Sequence, residues 1–168
     1  MNYKLIYSKR KSISASVKGG ILTVRAPYGV PESIIEEFLQ KHSAWIKEHL
    51  KEAQKREDKF SSLSETEITA LKKNARVYLT DKTECFSKIM GLKYGRITIT
   101  SAETRFGSCS SKGNISYSWR LMLYPEEARE YVVVHELAHL VEMNHSSRFY
   151  KIIEKVLPDY KERKRMLK

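Results

Sequence analysis

The sequence has little cysteine, little proline and no long uninterrupted apolar stretch. Its two cysteines, Cys85 and Cys109, are too few for a disulfide scaffold. They are also too few for a zinc site built mainly from cysteine, which takes about four. No run of about eighteen apolar residues occurs, so we expect no membrane-spanning helix. The first residues hold no apolar segment typical of a signal peptide, and a cytoplasmic location is the simplest expectation.

Acidic residues are outnumbered by basic ones. The chain has 31 Lys and Arg against 20 Asp and Glu, which leaves a formal net charge of +11. Such an excess favours polyanionic partners such as nucleic acid, nucleotides or an anionic membrane surface, although many small proteins carry basic surfaces for solubility alone. The 168 residues, of which 41% are hydrophobic, are enough for one domain with a substantial core.

The N-terminal segment alternates between apolar and polar side chains in three short runs. These runs are residues 3–8, 12–18 and 21–27. Gly19 and Gly20 form a two-residue turn signal between the second and third runs. We therefore expect an antiparallel β-meander over residues 1–30. Pro31 is tolerated at a first helical position, so a helix and a charged linker are expected over residues 31–60.

The rest of the chain changes between helical and extended patterns. A capping box from Ser64 to Glu67 predicts a long helix that ends at Gly91. The elements expected after it are a strand at 95–101, a loop containing Gly107 and Gly113, a strand at 114–123, a helix from Pro125 to about Met143, a helix at 146–156 and a basic helix after Pro158. The order of strands, helices, strands and helices predicts an α+β fold.

The run from His135 to His139 reads His-Glu-Leu-Ala-His. Two imidazoles spaced i, i+4 on a helix face the same side, so both nitrogens can bind one zinc ion. Glu136 can reach a water on that metal without being a ligand, which is the arrangement of a zinc hydrolase. The flanking residues are nearly all apolar, which predicts a buried helix. Buried polar side chains need partners, and a metal supplies them more economically than the alternative, separate hydrogen bonds within the core.

A third ligand has to come from beyond this helix. Glu142 lies on the same face, but about 10 Å from His135 along the helix axis. Asn144 tolerates the left-handed conformation that ends helices, so the chain can turn there. His145 follows directly, ten positions after His135, which is the separation found in the metzincin pattern. We favour His145 as the third ligand, with Glu154 on the following helix as the alternative.

The run from His135 to Phe149 resembles the YgjP-like metallopeptidase-domain family, and it is similar to the wider group that contains the SprT and WLM proteases. A second motif from Thr104 to Ile115 agrees with this resemblance, as do the N-terminal strands followed by Trp45 and Ile46. The resemblance covers about residues 3–160. Family members are described as peptidases, and members have been linked to hydrolysis of nucleotide pyrophosphates, notably UTP. The SprT and WLM relatives are linked to cleavage of proteins on DNA.

The resemblance implies a zincin-like fold over residues 1–168, with residues 61–168 as the metallohydrolase core. Glu136 is then the general base. The residues implied to hold one Zn²⁺ ion are His135, His139 and His145. The family usually has Trp at the position of Phe106 and often has Trp at that of Tyr150; because both remain aromatic, we expect their packing to be kept.

Substrate-binding candidates surround these motifs. They are Arg105, Ser108, Tyr117, Arg120 and Tyr150. Arg105 either grips a substrate carboxylate or phosphate, or pairs with an internal acid and fixes its loop. The two tyrosines and Arg120 are candidates for stabilising a developing oxyanion, and the sequence does not choose among them. Five further residues are interpreted as packing residues: His42, His49, Cys109, Trp119 and Phe149.

Three functions are compatible with these features. A zinc metallopeptidase is favoured, a metal-dependent UTP pyrophosphohydrolase is the first alternative, and a nucleic-acid-associated protease of the SprT or WLM type is the second. A binding module without activity rests on charge alone, and the complete His-Glu-His set argues against it. The basic tail from Lys161 to Lys168 is typical of a solvated face, although it could contact a polyanion. The expected partners are a peptide or nucleotide substrate and nucleic acid at the basic surface, with no membrane.

Overall fold

The computed structural model describes residues 2–167, except for the side chains of Arg56, Glu57 and Lys59. The backbone forms two compact units, one up to Leu63 and the other from Ser64. Both units contain strands and helices, so the predicted α+β class is confirmed. The assignment of all residues to a single domain stays a prediction. Among residues 2–167, no helix is both long and apolar enough to cross a membrane.

The first unit consists of a three-stranded sheet and two helices. Its elements are β1 (Lys4–Ser8), β2 (Ser14–Lys18), β3 (Ile21–Pro27), α1 (Glu32–Lys41) and α2 (Ser43–Ser61). The alternating residues of β3 face the core and meet apolar side chains of the two helices. The buried members of this core are Leu22, Val24, Ala26, Ile35, Leu39 and Ile46.

The predicted antiparallel meander over residues 1–30 is wrong for the first strand. The strand order is β1-β3-β2. β2 pairs antiparallel with β3 across the Gly19-Gly20 turn, whereas β1 pairs parallel with β3. Both glycines have the positive φ that a two-residue hairpin turn requires. Alternation identifies the two faces of a strand but not its neighbours, and β3, the most apolar strand, takes the central position.

The predicted helix and linker over residues 31–60 are two helices. The break falls at His42, and α2 then continues through the charged stretch to Ser61. Lys, Glu, Gln and Ala have high helix propensity, so this stretch stays helical without an apolar stripe. A hydrogen bond of 2.9 Å between the side chains of Gln54 and Asp58, one turn apart, gives further support.

The second unit holds a second three-stranded sheet and four α-helices. Its elements are α3 (Glu65–Met90), β4 (Ile97–Thr100), β5 (Gly107–Cys109), β6 (Ile115–Ser118), a 3₁₀ helix (Trp119–Leu123), α4 (Glu126–Ala138), α5 (Ser147–Val156) and α6 (Tyr160–Arg165). The predicted capping box at Ser64 and the left-handed Gly91 bound α3. The strand order is β4-β6-β5, with β4 parallel and β5 antiparallel to β6.

Three boundaries in this unit differ from the prediction. Gly107 begins β5 and does not lie in a loop, because its backbone pairs with Tyr117. The strand predicted at 114–123 ends at Ser118, where the Ser118 hydroxyl accepts from the backbone N–H of Arg120 and caps the 3₁₀ helix. The helix expected to reach Met143 ends at Ala138. Bonds from the N–H of residue 140 to the carbonyl of 137, and from 141 to 138, tighten its last turn.

The Ser64 capping box gives a stability test. Replacing Ser64 with Ala removes the acceptor of the Glu67 backbone N–H, which lies 3.3 Å from the Ser64 hydroxyl. We expect the free energy of unfolding to fall by about 1 kcal/mol, measured by urea denaturation. Ser111→Ala, at an exposed turn position of the same unit, is the matched control and should be nearly neutral. Equal effects of the two substitutions would contradict a stabilising cap.

Candidate metal centre

Three histidines meet at the C-terminal end of α4. His135 lies in its last turn, His139 directly follows it, and His145 lies in the loop before α5. One candidate ligand atom from each lies within 4.8 Å of the other two. The Nε2 atoms of His135 and His145 are 3.0 Å apart. The structure therefore brings together the three residues that the sequence suggested as metal ligands.

The donor set fits a divalent metal with nitrogen ligands. Two nitrogens that share one tetrahedral zinc at about 2.0–2.1 Å lie roughly 3.3 Å apart, close to the 3.0 Å between the Nε2 atoms of His135 and His145. Three protein ligands leave one coordination position for water or substrate, as in catalytic zinc sites. Glu154, the alternative ligand, is exposed and outside this group.

Two of the histidines are oriented by a second partner. His139 Nδ1 lies 3.1 Å from the backbone carbonyl of Glu142, and His135 Nδ1 lies 3.4 Å from the Tyr131 hydroxyl. A proton on Nδ1 of each ring satisfies these contacts and leaves Nε2 as the metal donor. Such outer contacts fix the tautomer and ring orientation of metal-binding histidines.

Phe149 forms the base of the three-histidine cluster. Its ring centroid lies 4.8, 4.6 and 4.8 Å from those of His135, His139 and His145. The side chain is fully buried, so the predicted packing role of Phe149 holds, but what it packs against is the metal centre. A rigid aromatic base restricts the rotamers of the histidines and holds their nitrogens together.

His135 and His139 favour the neutral form, which is the form that binds metal. Burial, together with the neighbouring His139 and His145 and the charge of Lys164, lowers the pKa of His135 to about 3. Burial also lowers the pKa of His139. A metal therefore does not have to displace a proton from either ring at neutral pH.

Glu136 lies beside the ligands with its side chain only 5% exposed. Its Oε2 atom is buried without a hydrogen-bond partner. Burial raises the pKa of Glu136 to about 8, although the positive charge of Arg105 opposes this shift. The backbone of Gly107 packs directly on the side chain, since a Cβ there would lie 2.5 Å from Glu136 Oε1. The glycine thus allows β5 to approach the glutamate closely.

The predicted substrate-binding residues fall into two groups. Arg105 and Ser108 line a small polar cleft of about 50 Å³ that also includes Gly107. The Tyr150 ring lies 6.4 Å from the His145 ring. These three residues are close to Glu136 or to the ligands, and their roles stay predictions.

The structure corrects the prediction for Tyr117, whereas the substrate role of Arg120 stays a prediction. Tyr117 is fully buried and its hydroxyl lies 3.0 Å from that of Thr83, so it packs in the core and does not face a substrate. The Arg120 guanidinium bonds to the carbonyl of Ser101 and to the carboxylate of Glu103 at 3.1 Å. It fixes the loop before β5, which is the role that the sequence left open for Arg105.

Several residues of the centre had no place in the sequence prediction. Tyr131 precedes His135 by one helical turn, so their spacing could have suggested the contact. The carbonyl of Glu142 gave no signal, because its position depends on where α4 ends. Cys109, which was interpreted as a packing residue, is half-buried and outside the three-histidine group. Burial, together with the charge of Glu136, raises the pKa of its thiol.

Comparison with known families gives a match over almost the whole chain. The sequence pattern of the family described as "YgjP-like, metallopeptidase domain" matches residues 10–69 and 62–168. The chain belongs to this family. Its members are metallopeptidase-like, so a metal ion at the three histidines is the expected cofactor. A comparison with curated protein sequences finds no significant match.

Two solved structures show a partial likeness. The metallopeptidase zymogen abylysin of Pyrococcus abyssi is 29% identical with a TM-score of 0.49, over 53% of this chain and 90% of that chain. The metallopeptidase zymogen jannalysin of Methanocaldococcus jannaschii is 17% identical with a TM-score of 0.47, over 53% of this chain and 92% of that chain.

The choice of third ligand can be tested with Zn²⁺ as the probe. Replacing His145 with Ala should lower zinc affinity by more than the roughly 10–100-fold that loss of an outer-shell partner costs. Glu154→Ala is the matched control and should leave affinity unchanged, because its side chain is exposed. Competition with a chromogenic chelator measures both. A larger loss in the Glu154 variant would reverse the assignment.

The buried carboxyl of Glu136 predicts a pH dependence of stability in the metal-free protein. The folded-state pKa of about 8 lies above the ordinary value of 4.5, so the folded protein retains a proton that the unfolded chain releases. The proton on Glu136 therefore stabilises the folded state. This contribution to the free energy of unfolding is fully present below pH 4.5 and falls as pH rises towards 8, by at most about 1.4 kcal/mol per pH unit. Urea denaturation should show wild type losing stability relative to Glu136→Gln between pH 5 and pH 8. A pH-independent difference would contradict the shifted pKa.

Proposed function

We propose that this protein is a zinc-dependent peptide hydrolase with Glu136 as its general base. The observation that carries the proposal is the convergence of three histidine nitrogens within 4.8 Å, next to a buried carboxyl. A bound zinc ion would supply an activated water and polarise the carbonyl of the scissile bond. Glu136 would accept the proton of the attacking water and deliver it to the leaving amine.

The environment of Glu136 suits this role. Its Oε2 atom has no hydrogen-bond partner, so one carboxyl oxygen is available to a proton. A nearby dication favours the charged carboxylate and lowers its pKa from the raised value towards neutrality. The base would then exchange a proton near the working pH, where general base catalysis is most effective. Gly107 behind the side chain limits its rotation.

A peptide substrate is supported by the position of β5. This strand lies at an edge of its sheet, beyond β6, and its first residue contacts Glu136. The edge of a strand can pair with an extended peptide through main-chain hydrogen bonds. A peptide aligned on β5 would pass beside the general base, which agrees with the metallopeptidase domain family of the chain.

A nucleoside triphosphate such as UTP is the second candidate substrate. It is favoured by the net charge of +11 and by basic residues near the metal centre, among them Lys164, whose charge acts on His135. The same water and the same base would attack a phosphoryl group. Cleavage of a protein bound to nucleic acid is a third proposal, supported by the basic charge and by the similarity of the run from His135 to Phe149 to the SprT and WLM proteases.

The reaction class is tested with zinc-loaded protein on a peptide library and on a nucleoside triphosphate panel. We expect peptide cleavage by wild type, and a loss of at least about a hundredfold in kcat for Glu136→Gln at unchanged zinc content. Cleavage of the triphosphates alone would assign the second candidate. Full activity of Glu136→Gln on any substrate would exclude this residue as the base.

A second variant separates the position of Glu136 from its chemistry. In Gly107→Ala the new methyl group would displace the glutamate side chain, so activity should fall while zinc content is unchanged. Gly95→Ala is the matched control: its Cβ would lie 2.6 Å from Asn114 Oδ1, which crowds a side chain just before β4 and β6. Equal activities of the two variants would argue against a positioned base.

A further inference from the structure

A positively charged groove lies beside the metal centre. None of the residues that line it has been assigned so far to binding zinc or to transferring a proton. It has a volume of about 410 Å³. The residues that line this basic groove are Tyr150, Tyr160, Lys161, Lys164 and Arg165. Its volume lies within the range of about 300–1,000 Å³ that is usual for ligand pockets.

The groove begins next to the third metal ligand. The Tyr150 ring lies 6.4 Å from His145 and 5.3 Å from Phe149. On its other side it stacks on Tyr160 with a centroid distance of 5.8 Å and an angle of 20° between the ring planes. The two tyrosines therefore extend the aromatic base of the metal centre outward as one wall of the groove.

The basic residues of the groove lie on α6, and this helix is anchored to the rest of the unit. Arg163 of α6 donates to Glu130 of α4 at 2.7 Å and to Asp159 at 2.8 Å. The other oxygen of Glu130 accepts from Lys82 of α3 at 2.7 Å. Tyr160, the first residue of α6, is 9% exposed. These contacts hold the groove-lining side of α6 against the rest of the unit.

The cations of the groove are not neutralised within the described chain. Among residues 2–167, the ion pairs involve none of Lys161, Lys164 and Arg165. Lys164 Nζ lies 5.4 Å from the Tyr150 ring centroid, and Lys161 Nζ lies 5.8 Å from that of Tyr160. Cation–π contacts orient the two ammonium groups without cancelling their charge. The groove is therefore preorganised for an anion.

We propose that the basic groove binds an acidic side chain of a peptide substrate close to the scissile bond, so that the enzyme selects acidic peptides. This assignment rests on the proposed peptide hydrolase function. An extended peptide advances about 3.3 Å per residue. The ring centroids of His145 and Tyr150 are 6.4 Å apart, a distance that an extended peptide covers in about two residues. The selected Asp or Glu lies two or three positions from the cleaved bond, and its methylene groups contact the tyrosine wall.

The experiment compares three peptides that differ only at this position, where Glu, Gln or Lys is placed two or three residues from a bond that wild type cleaves. At low salt, which limits screening, we expect kcat/KM to be about tenfold higher for the Glu peptide than for the Gln peptide. The difference should appear in KM. Lys164→Glu combined with Lys161→Glu should abolish or reverse this preference. The preference is measured as the ratio of kcat/KM for the Glu peptide to that for the Gln peptide, so an effect of the Lys164 charge on His135 that is common to both peptides cancels.

A matched charge control is Lys73→Glu combined with Lys72→Glu, at exposed positions of α3. This variant changes the net charge by the same amount as the Lys161 and Lys164 variant, and it should still cleave the Glu peptide preferentially. Equal cleavage of the Glu and Gln peptides by wild type would overturn the proposal, and so would a preference that survives in the Lys161 and Lys164 variant.

A binding measurement separates this proposal from the proposed function. Fluorescence anisotropy of labelled Glu and Gln peptides on Glu136→Gln protein reports the groove without turnover. Tighter binding of the Glu peptide that depends on Lys164 supports the groove even if no peptide is cleaved, in which case only the peptidase assignment fails. Stronger Lys164-dependent binding of a single-stranded oligonucleotide than of the Glu peptide would overturn the assignment to acidic peptides.

Discussion

The contact between the Glu136 carboxyl and the Gly107 backbone is the constraint on which the metal centre depends. There is no space for a Cβ between them, so β5 has to be held at a fixed distance from α4. The register of β5 is set by the pairing of Gly107 with Tyr117 on β6. Tyr117 is in turn fixed by its hydroxyl contact with Thr83 on α3. A continuous series of contacts from α3 through two strands thus positions the Glu136 side chain, and a core tyrosine contributes to the site without reaching it.

The ion pairs around Glu130 have a comparable role for the outer side of the centre. Glu130 lies on α4 and is 18% exposed, with Lys82 on one carboxylate oxygen and Arg163 on the other. A partly buried carboxylate that binds two cations from two other helices is costly to disrupt, since Lys82 and Arg163 would keep only their more exposed partners, Glu126 and Asp159. The contact joins α3, α4 and α6, so the basic side chains of α6 are presented next to the metal ligands and not on a mobile tail.

The features that could be predicted from the sequence are those set by local chemistry. The capping box at Ser64, the left-handed Gly91 and the helical His-Glu run depend on residues within one or two turns of each other, so their patterns predict structure directly. The pairing of strands that are distant in the sequence was harder to predict. Neither the parallel register of β1 nor the burial of Tyr117 follows from alternation, because both depend on which strand takes the centre of a sheet. Gly107 was expected in a loop, and its contact with Glu136 depends on the tertiary fold.

The early end of α4 makes the three-ligand arrangement possible. Had the helix continued through His145, that residue would lie about 15 Å from His135 along the axis, too far to share one ion. Ending at Ala138 frees the chain to return, and it releases backbone carbonyls that a helix would use internally. The carbonyl of Glu142 then accepts from His139. The end of α4 thus brings His145 back to His135 and orients His139, so the positions of two of the three histidines depend on where this helix ends.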